Sequence, residues 1–281
     1  MMSSNQTNES QIANRKSQIP VCLTVAGLDP SGGAGIIADI KTFTAFKCFA
    51  AAAVASITFQ NTTGVFGAVH QTAETVRRQM QPIIEDYTIA ALKTGMLPTG
   101  EIIEEIGRII KESRLKNFVV DPVVRSTSGF DLIDDEALRT LIETLFPLAE
   151  IVTPNLPEAE RIAGMKIENE NDIKQAAWTM QSFGARNVLI KGGHFFSSGS
   201  ENRKAKDFLF AGDDLHLFEA DFIETTATHG TGCTLAAAIT ANLALGKNLL
   251  EAVQAAKNFV TEAIRTAPNL GRGHSPINSI L

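Results

Sequence analysis

The sequence predicts an α/β protein with a mostly parallel central sheet and helices on both faces. Apolar runs of strand length alternate with helical patterns along nearly the whole chain. The strand candidates are apolar without alternation, as strands covered on both faces are. Glycine-rich turns fall at the ends of strands, where ligands bind in such folds.

Taken in order, Val21–Ala26 reads as a strand, followed by a glycine-rich turn and a helix over Gly35–Phe46. Phe49–Ile57 reads as a second buried strand, and Thr72–Glu85 has helical spacing. Ile89–Lys93 is a short strand, Gly100–Ser113 a helix and Phe118–Asp121 a strand. Asp134–Leu145 is a helix opened by acids that suit its N-terminus. Ile151–Thr153, Asn187–Lys191, Phe208–Phe210 and Leu215–Glu219 are further strands. The short connection Gly212-Asp213-Asp214 between the last two predicts an antiparallel hairpin at a sheet edge. The chain then ends in two helices, Cys233–Leu245 and Leu249–Thr266, joined at Gly246.

Composition narrows the function. The 281 residues are 44% hydrophobic with 16 Phe, enough for a sizeable core in one large domain or two small ones. No linker-like stretch divides the chain, so one domain is expected over residues 20–281. The Ser/Asn/Gln-rich residues 1–19 are expected to form a disordered tail and have no apolar core for a signal peptide. The net charge of −6, with dispersed Lys and Arg, argues against a nucleic-acid or anionic membrane partner. The longest apolar run, Cys48–Ile57, is too short to span a bilayer. Three separated cysteines, Cys22, Cys48 and Cys233, make neither a disulfide framework nor a zinc site, so a reducing cytoplasm is expected.

The most informative motif is Thr228-His229-Gly230-Thr231-Gly232-Cys233 before an Ala-rich helix. Bare N–H groups at a helix N-terminus, with the positive end of its dipole, suit an anion such as phosphate. Cys233 lies in the first turn, where that field favours a thiolate. A tight turn with a cap explains the same glycines without any ligand. At the other end, Gly27-x4-Gly32 has P-loop spacing, but Gly33-Ala34 stands where Lys-Ser/Thr is needed. Gly33-x-Gly35-x-x-Ala38 matches a dinucleotide fingerprint, yet no acid follows the second strand to hold a ribose. What remains is a bare-backbone loop over a small ligand, with Asp29 as a polar handle.

Four further segments carry chemistry and a plainer alternative. In Thr153-Pro154-Asn155-Leu156-Pro157-Glu158, Asn155 and Glu158 have capping-box spacing, and the same pair can order waters around Mg²⁺. Asp121-Pro122-Val123 ends a strand with a carboxylate suited to a metal or phosphate. Lys191, before Gly192-Gly193-His194, is either a solvated lysine or a point charge for phosphate oxygens. Gln60, in Gln60-Asn61-Thr62, offers the donor and acceptor that read an aminopyrimidine edge, although a turn explains Asn-Thr. His70, His194 and His216 read as ordinary surface or turn histidines.

These motifs, with Lys93-Thr94-Gly95-Met96-Leu97 and the closing Gly271-Arg272-Gly273-His274, recur in an order that resembles one family over about Val21 to Asn278. That family is the hydroxymethylpyrimidine/phosphomethylpyrimidine kinases of thiamine biosynthesis, in the ribokinase-like superfamily. The resemblance implies a three-layer αβα fold, usually a homodimer, using ATP and Mg²⁺. It implies phosphorylation of 4-amino-5-hydroxymethyl-2-methylpyrimidine and then of its monophosphate. Carried over by motif, Gln60, Gly27, Asp29, Ala34, Met96 and Val123 would form the pyrimidine pocket. Lys191, Asn155, Glu158 and Thr228 would serve the nucleotide, with Asp121 and Glu158 at the metal. Gly230, Thr231 and Gly232 would form the anion hole. Cys233 would take the hydroxyl proton, where many superfamily members carry an aspartate base.

Three departures from the family pattern stand out. Ser126-Thr127-Ser128-Gly129-Phe130 replaces the usual Ala-Lys-Ser-Gly-Asp, and Thr226-Ala227 the usual Lys-Asn. Both remove a lysine that could touch phosphate and so bear on the second phosphorylation. Phe49-Ala50-Ala51 replaces Tyr-Gly-Met, expected to change the ground beneath the pocket. Pyridoxal kinase is the alternative enzyme, since relatives with this cysteine turn phosphorylate pyridoxal. A non-catalytic ligand-binding homologue is the alternative outside enzymes.

Overall fold

The computed structural model describes residues 19–125, 131–193 and 203–280, so the tail expected over residues 1–19 (all but its last residue), Ser126–Phe130 and His194 lie outside the described residues. The elements run β1 (Val21–Leu28), α1 (Gly35–Ala45), β2 (Phe49–Asn61), β3 (Gly64–His70), α2 (Ala73–Asp86), β4 (Ile89–Thr94), α3 (Gly100–Ser113) and β5 (Phe118–Val120). They continue with α4 (Asp135–Leu145), β6 (Ile151–Val152), α5 (Leu156–Ala163), α6 (Glu170–Ser182), β7 (Asn187–Gly193), β8 (Lys204–Ala211), β9 (Asp214–Asp221), α7 (Thr231–Ala244) and α8 (Leu249–Arg265). One nine-stranded sheet has the order β3-β2-β1-β4-β5-β6-β7-β8-β9. The inner run β2-β1-β4-β5-β6-β7 is parallel, and the edge strands β3, β8 and β9 pair antiparallel.

The parallel strands are apolar on both sides because both faces are covered. Leu23, Val25, Leu92, Val120 and Ile190 pack toward α2–α6. Their strand neighbours Val119, Ile151 and Leu189 pack toward α7 and α8, so adjacent residues serve opposite cores. Helix α7 is buried from Thr234 to Leu243, and its alanines let it lie close to the sheet, α1 and α8. These are the three layers expected.

Three expectations change. The second strand is longer than Phe49–Ile57 and is not buried throughout: Phe49, Ile57 and Phe59 are exposed, and the strand continues through Gln60 to Asn61. Beyond the width of the helix layer, β2 pairs only with β3, so alternate residues meet solvent. Strand β3 and helix α6 were not expected; Gly64 and Gly67 weaken the strand pattern, and the buried face of α6 is only Ile173, Ala176, Ala177 and Met180, two of them alanines. Finally, Phe49-Ala50-Ala51 opens β2, with Phe49 edge-on to Tyr87 at 5.7 Å. That end lies eleven residues from Gln60, about 35 Å at strand rise, so this departure is not beneath the pocket.

Candidate active site

The sheet order reverses direction at β1 and β4, and the crevice outside their carboxyl ends is where an open α/β sheet binds ligands. A cavity of about 980 Å³ opens there, and every residue singled out for the site lines it: Gly27, Asp29, Ala34, Gln60, Met96, Asp121, Val123, Asn155, Glu158, Lys191, Thr228, Gly230, Thr231, Gly232 and Cys233. The loops after β1, β4, β5, β6 and β7 supply one wall, and the start of α7 faces them.

Helix α7 begins bare. The other helices open on a side-chain cap (Thr72, Thr99, Asp134, Asn155, Asn169 and Asn248), except α1, which starts at Ala34. For α7 the capping position is Gly230, at φ +84° and with no side-chain hydrogen bond. A Cβ there would stand 1.8 Å from the Gly33 carbonyl oxygen. The two glycine-rich turns, 200 residues apart, are therefore in backbone contact, and only glycine fits. The result is an uncapped helix N-terminus directed at the cavity.

Asp29 organises the first turn. Its carboxylate accepts from Ser31 N at 2.8 Å, Ser31 Oγ at 2.7 Å, Gly33 N at 3.2 Å and Ala34 N at 2.9 Å. His229 Nε2 donates to it from the second turn at 2.8 Å. Burial pushes this carboxyl up, but the hydrogen bonds from His229, Ser31 and Gln60 outweigh it and hold the group below the usual carboxylate range.

The second cluster is charged. Lys191 Nζ meets Asp121 Oδ1 at 3.1 Å and lies 3.2 Å from where a Cβ on Gly232 would be. Asp121 also accepts from Thr153 Oγ1 at 3.3 Å. The capping box of α5 is real: Glu158 N donates to Asn155 Oδ1 at 2.9 Å, and Asn155 N to Glu158 Oε2 at 2.8 Å. The capping reading holds, and the box that starts α5 also sets a buried carboxylate at the cavity wall. Burial, with Asp121 adding to it and Lys191 opposing, pushes Glu158 up to about 7. Two oxygen-bearing carboxylates, one carrying a burial and like-charge penalty that a cation would relieve, fit Mg²⁺, which takes few protein ligands and several waters.

Cys233 departs from the expected depressed thiol. It sits half-buried in the first turn of α7. Burial dominates and pushes the thiol up to about 11; Lys93 and the Gly35 N–H pull it down, and Asp121 and Asp39 push it up.

Sequence reasoning missed the support beneath this turn. Lys93 is wholly buried and donates to both oxygens of Asp39, at 2.9 and 2.8 Å, while Thr24 Oγ1 donates to Asp39 at 2.6 Å. Burial alone would lower Lys93; the Asp39 charge and those of Cys233 and Asp121 outweigh it and hold the lysine well above its ordinary value. His229 was missed as well, although it lies inside the most informative motif. Thr226-Ala227 forms the approach to the turn, with Ala227 buried and its N–H held by Thr225 Oγ1 at 3.0 Å.

A layered αβα sheet with a bare helix N-terminus, a lysine and paired carboxylates around a crevice of this size defines a small-molecule kinase of ribokinase-like fold. Residues 29–278 match the phosphomethylpyrimidine kinase family, and the chain belongs to it. It is 44% identical over 256 residues to the hydroxymethylpyrimidine/phosphomethylpyrimidine kinase of Bacillus subtilis, spanning 91% of this chain and 93% of that protein. It is also 44% identical over 277 residues to the thiamine biosynthesis bifunctional protein ThiED of Geobacter sulfurreducens, covering 98% of this chain but 56% of that longer protein. Among solved structures, the ADP complex of Bacillus subtilis pyridoxal kinase superposes with a TM-score of 0.83 at 38% identity, over 93% of this chain and 98% of that one.

Proposed function

We propose that this protein transfers the γ-phosphoryl group of ATP to the hydroxymethyl group of 4-amino-5-hydroxymethyl-2-methylpyrimidine, and then a second one to the resulting monophosphate, in thiamine diphosphate biosynthesis. The observation that carries the reading is the bare N-terminus of α7 with Cys233 in its first turn. It faces Lys191 and the Asp121–Glu158 carboxylates on one side and Gln60 on the other.

The residues divide by chemistry. Gln60 reads the pyrimidine edge, with Gly27, Asp29, Ala34, Met96 and Val123 shaping the pocket. A Cβ on Gly27 would come within 2.9 Å of Met96 Sδ, so the two set the floor together. The N–H groups of Gly230, Thr231 and Gly232 receive the charge on the transferring phosphoryl group, and Lys191 neutralises phosphate oxygens. Asn155 and Thr228 serve the nucleotide. Asp121 and Glu158 would hold Mg²⁺, which when bound neutralises phosphate charge. The apolar lining residues Phe222, Ile223, Val260 and Ile264 suit a nucleobase.

In the first transfer the pyrimidine O–H loses its proton to the Cys233 thiolate. The new O–P bond forms at the γ-phosphorus, and the bond to the β-phosphate oxygen breaks to release ADP. Identity to the pyrimidine kinases exceeds that to pyridoxal kinase, which favours the pyrimidine. The exposed Ile57, Phe59, Phe66 and Val69 on the β2–β3 ribbon suit a homodimer contact. We place the enzyme in the cytoplasm, where Cys22, Cys48 and Cys233 remain free thiols as they are here.

The test is ADP release with MgATP and, in parallel, hydroxymethylpyrimidine, its monophosphate or pyridoxal. Turnover of both pyrimidines is expected. Preferred turnover of pyridoxal would move the protein to vitamin B6 salvage, and silence on all three would make it a binding protein. Gln60→Ala should weaken pyrimidine binding and leave ATP binding alone.

A further inference from the structure

The closing motif Gly271-Arg272-Gly273-His274 does not line the cavity, yet it joins the two halves of the site. Thr62, two residues after Gln60, takes the incoming chain: its hydroxyl accepts from Arg272 N at 3.2 Å and Gly273 N at 3.3 Å, and its carbonyl accepts from His274 N at 2.8 Å. The approach is so close that a Cβ on Gly273 would lie 2.1 Å from the Thr62 carbonyl oxygen. Four residues on, the same segment grips the anion-hole turn. His229 N donates to Ser275 O at 3.2 Å, and Ile277 N to His229 O at 3.4 Å, a parallel bridge. The His274 ring nitrogen Nδ1 sits 3.3 Å from Thr228 Oγ1. The strap is anchored below: Ser275 and Ile277 are buried, Ser275 Oγ accepts from Leu270 N at 2.9 Å, and Asn278 N donates to Ala263 O on α8 at 2.9 Å.

The strand end that carries Gln60 and the turn that carries Gly230–Cys233 come from opposite ends of the chain, and the substrate hydroxyl must be held between them. We propose that the Gly271–Ile277 strap is a positioning element for phosphoryl transfer, and that Thr62 is the positioning residue through which it locks the pyrimidine side to the anion-hole side. His229 closes the circuit, since the strap holds its backbone while its ring holds Asp29. A misplacement of about 1 Å between acceptor and phosphoryl group is enough to cost on the order of a hundredfold in rate.

The inference rests on the pyrimidine pocket proposed above, so one arm of its test uses the ligand-free protein. In Thr62→Val, which keeps the shape and removes the acceptor, amide exchange followed by NMR should speed at least tenfold at His229 and Ile277 as well as at Arg272 and Gly273. Gly273→Ala should give the same pattern. Acceleration confined to residues 271–274 in both variants would overturn the proposal. In the kinetic arm, both variants should lower kcat for hydroxymethylpyrimidine about tenfold with KM within about threefold, because Gln60 still binds while the hydroxyl is no longer aligned. A raised KM at unchanged kcat would also overturn it. Failure of the substrate reading itself would show separately, as absent ADP release by the wild-type enzyme.

Discussion

Cys233→Ala should separate the two phosphorylations. The first acceptor is a neutral alcohol and must lose a proton; the second is a phosphate monoester, whose second pKa of about 6 leaves it anionic at neutral pH. A base is therefore needed for the first transfer only. With its thiol pushed up to about 11, Cys233 is a thiolate in only on the order of three molecules in ten thousand at pH 7.5. Each unit of pH should raise that fraction about tenfold. The single-turnover rate with hydroxymethylpyrimidine should thus rise with a slope near one from pH 6.5 to 9.5, since the deprotonated form is the active one. Cys233→Ala should lose about 10²–10⁴ of that rate, the usual contribution of a positioned base, and flatten the profile. With the monophosphate, both proteins should give a profile that is flat above pH 7, and the substitution should cost less than about tenfold. The assay is rapid-quench measurement of ADP with enzyme in excess, which removes product release from the rate. Equal losses on both substrates, or a flat wild-type profile on the alcohol, would refute the assignment of Cys233 as base.

Three other outcomes follow from the packing around the site. Gly230→Ala places a methyl group 1.8 Å from the Gly33 carbonyl at φ +84°; it should lower Tm and cut kcat at least a hundredfold, and wild-type turnover would refute the contact between the two turns. Lys93→Met strands the buried Asp39 carboxylate and should cost about 3–5 kcal/mol in urea unfolding, most of it recovered by Lys93→Met/Asp39→Leu; a single variant as stable as wild type would contradict a charged pair. Asp29, held below the usual carboxylate range, stabilises the fold above its unfolded pKa of about 3.9 and loses that contribution as pH falls through the folded value. Below pH 4 the wild type should therefore lose stability faster than Asp29→Asn, by up to about 1.4 kcal/mol per pH unit. Identical slopes in urea titrations from pH 2.5 to 5 would sink that reading.

The parts of this site legible in the sequence are those whose chemistry is local. Gly230-Thr231-Gly232 before an Ala-rich run specifies a bare helix start within six residues, and Asn155 with Glu158 specifies a cap by spacing alone. The strand end at Asp121 follows from an apolar run that stops at a charge, whereas β7 runs two residues past Lys191 to Gly193. The unseen parts are long-range pairs. Lys93 and Asp39 are 54 positions apart, each on an ordinary strand or helix, and nothing in either neighbourhood says that both are buried. His229 finds Asp29 across 200 positions, and Thr62 finds Arg272 across 210. The thiol of Cys233 failed for a related reason. Its helix position is local and predicts a depressed pKa, but the burial and the charges around it, from Asp39, Lys93 and Asp121, come from distant parts of the chain that no window of sequence contains.

The same long-range pairing bears on substrate choice. A carboxylate only accepts hydrogen bonds, so Gln60 can meet Asp29 only through its amide NH₂. That contact uses the NH₂ and leaves Oε1 as the acceptor of the pair. An aminopyrimidine brings an N–H donor to that acceptor and pairs it. Pyridoxal offers one ring hydroxyl but no exocyclic amine, and must meet the same oxygen with a different donor. Asp29 is itself held charged by His229 and the Ser31–Ala34 backbone, so the orientation of the Gln60 amide depends on the folded turns as well as on Gln60. By meeting at Gly33 and Gly230 and sharing the Asp29–His229 bond, the two glycine-rich turns orient the group proposed to read the substrate ring.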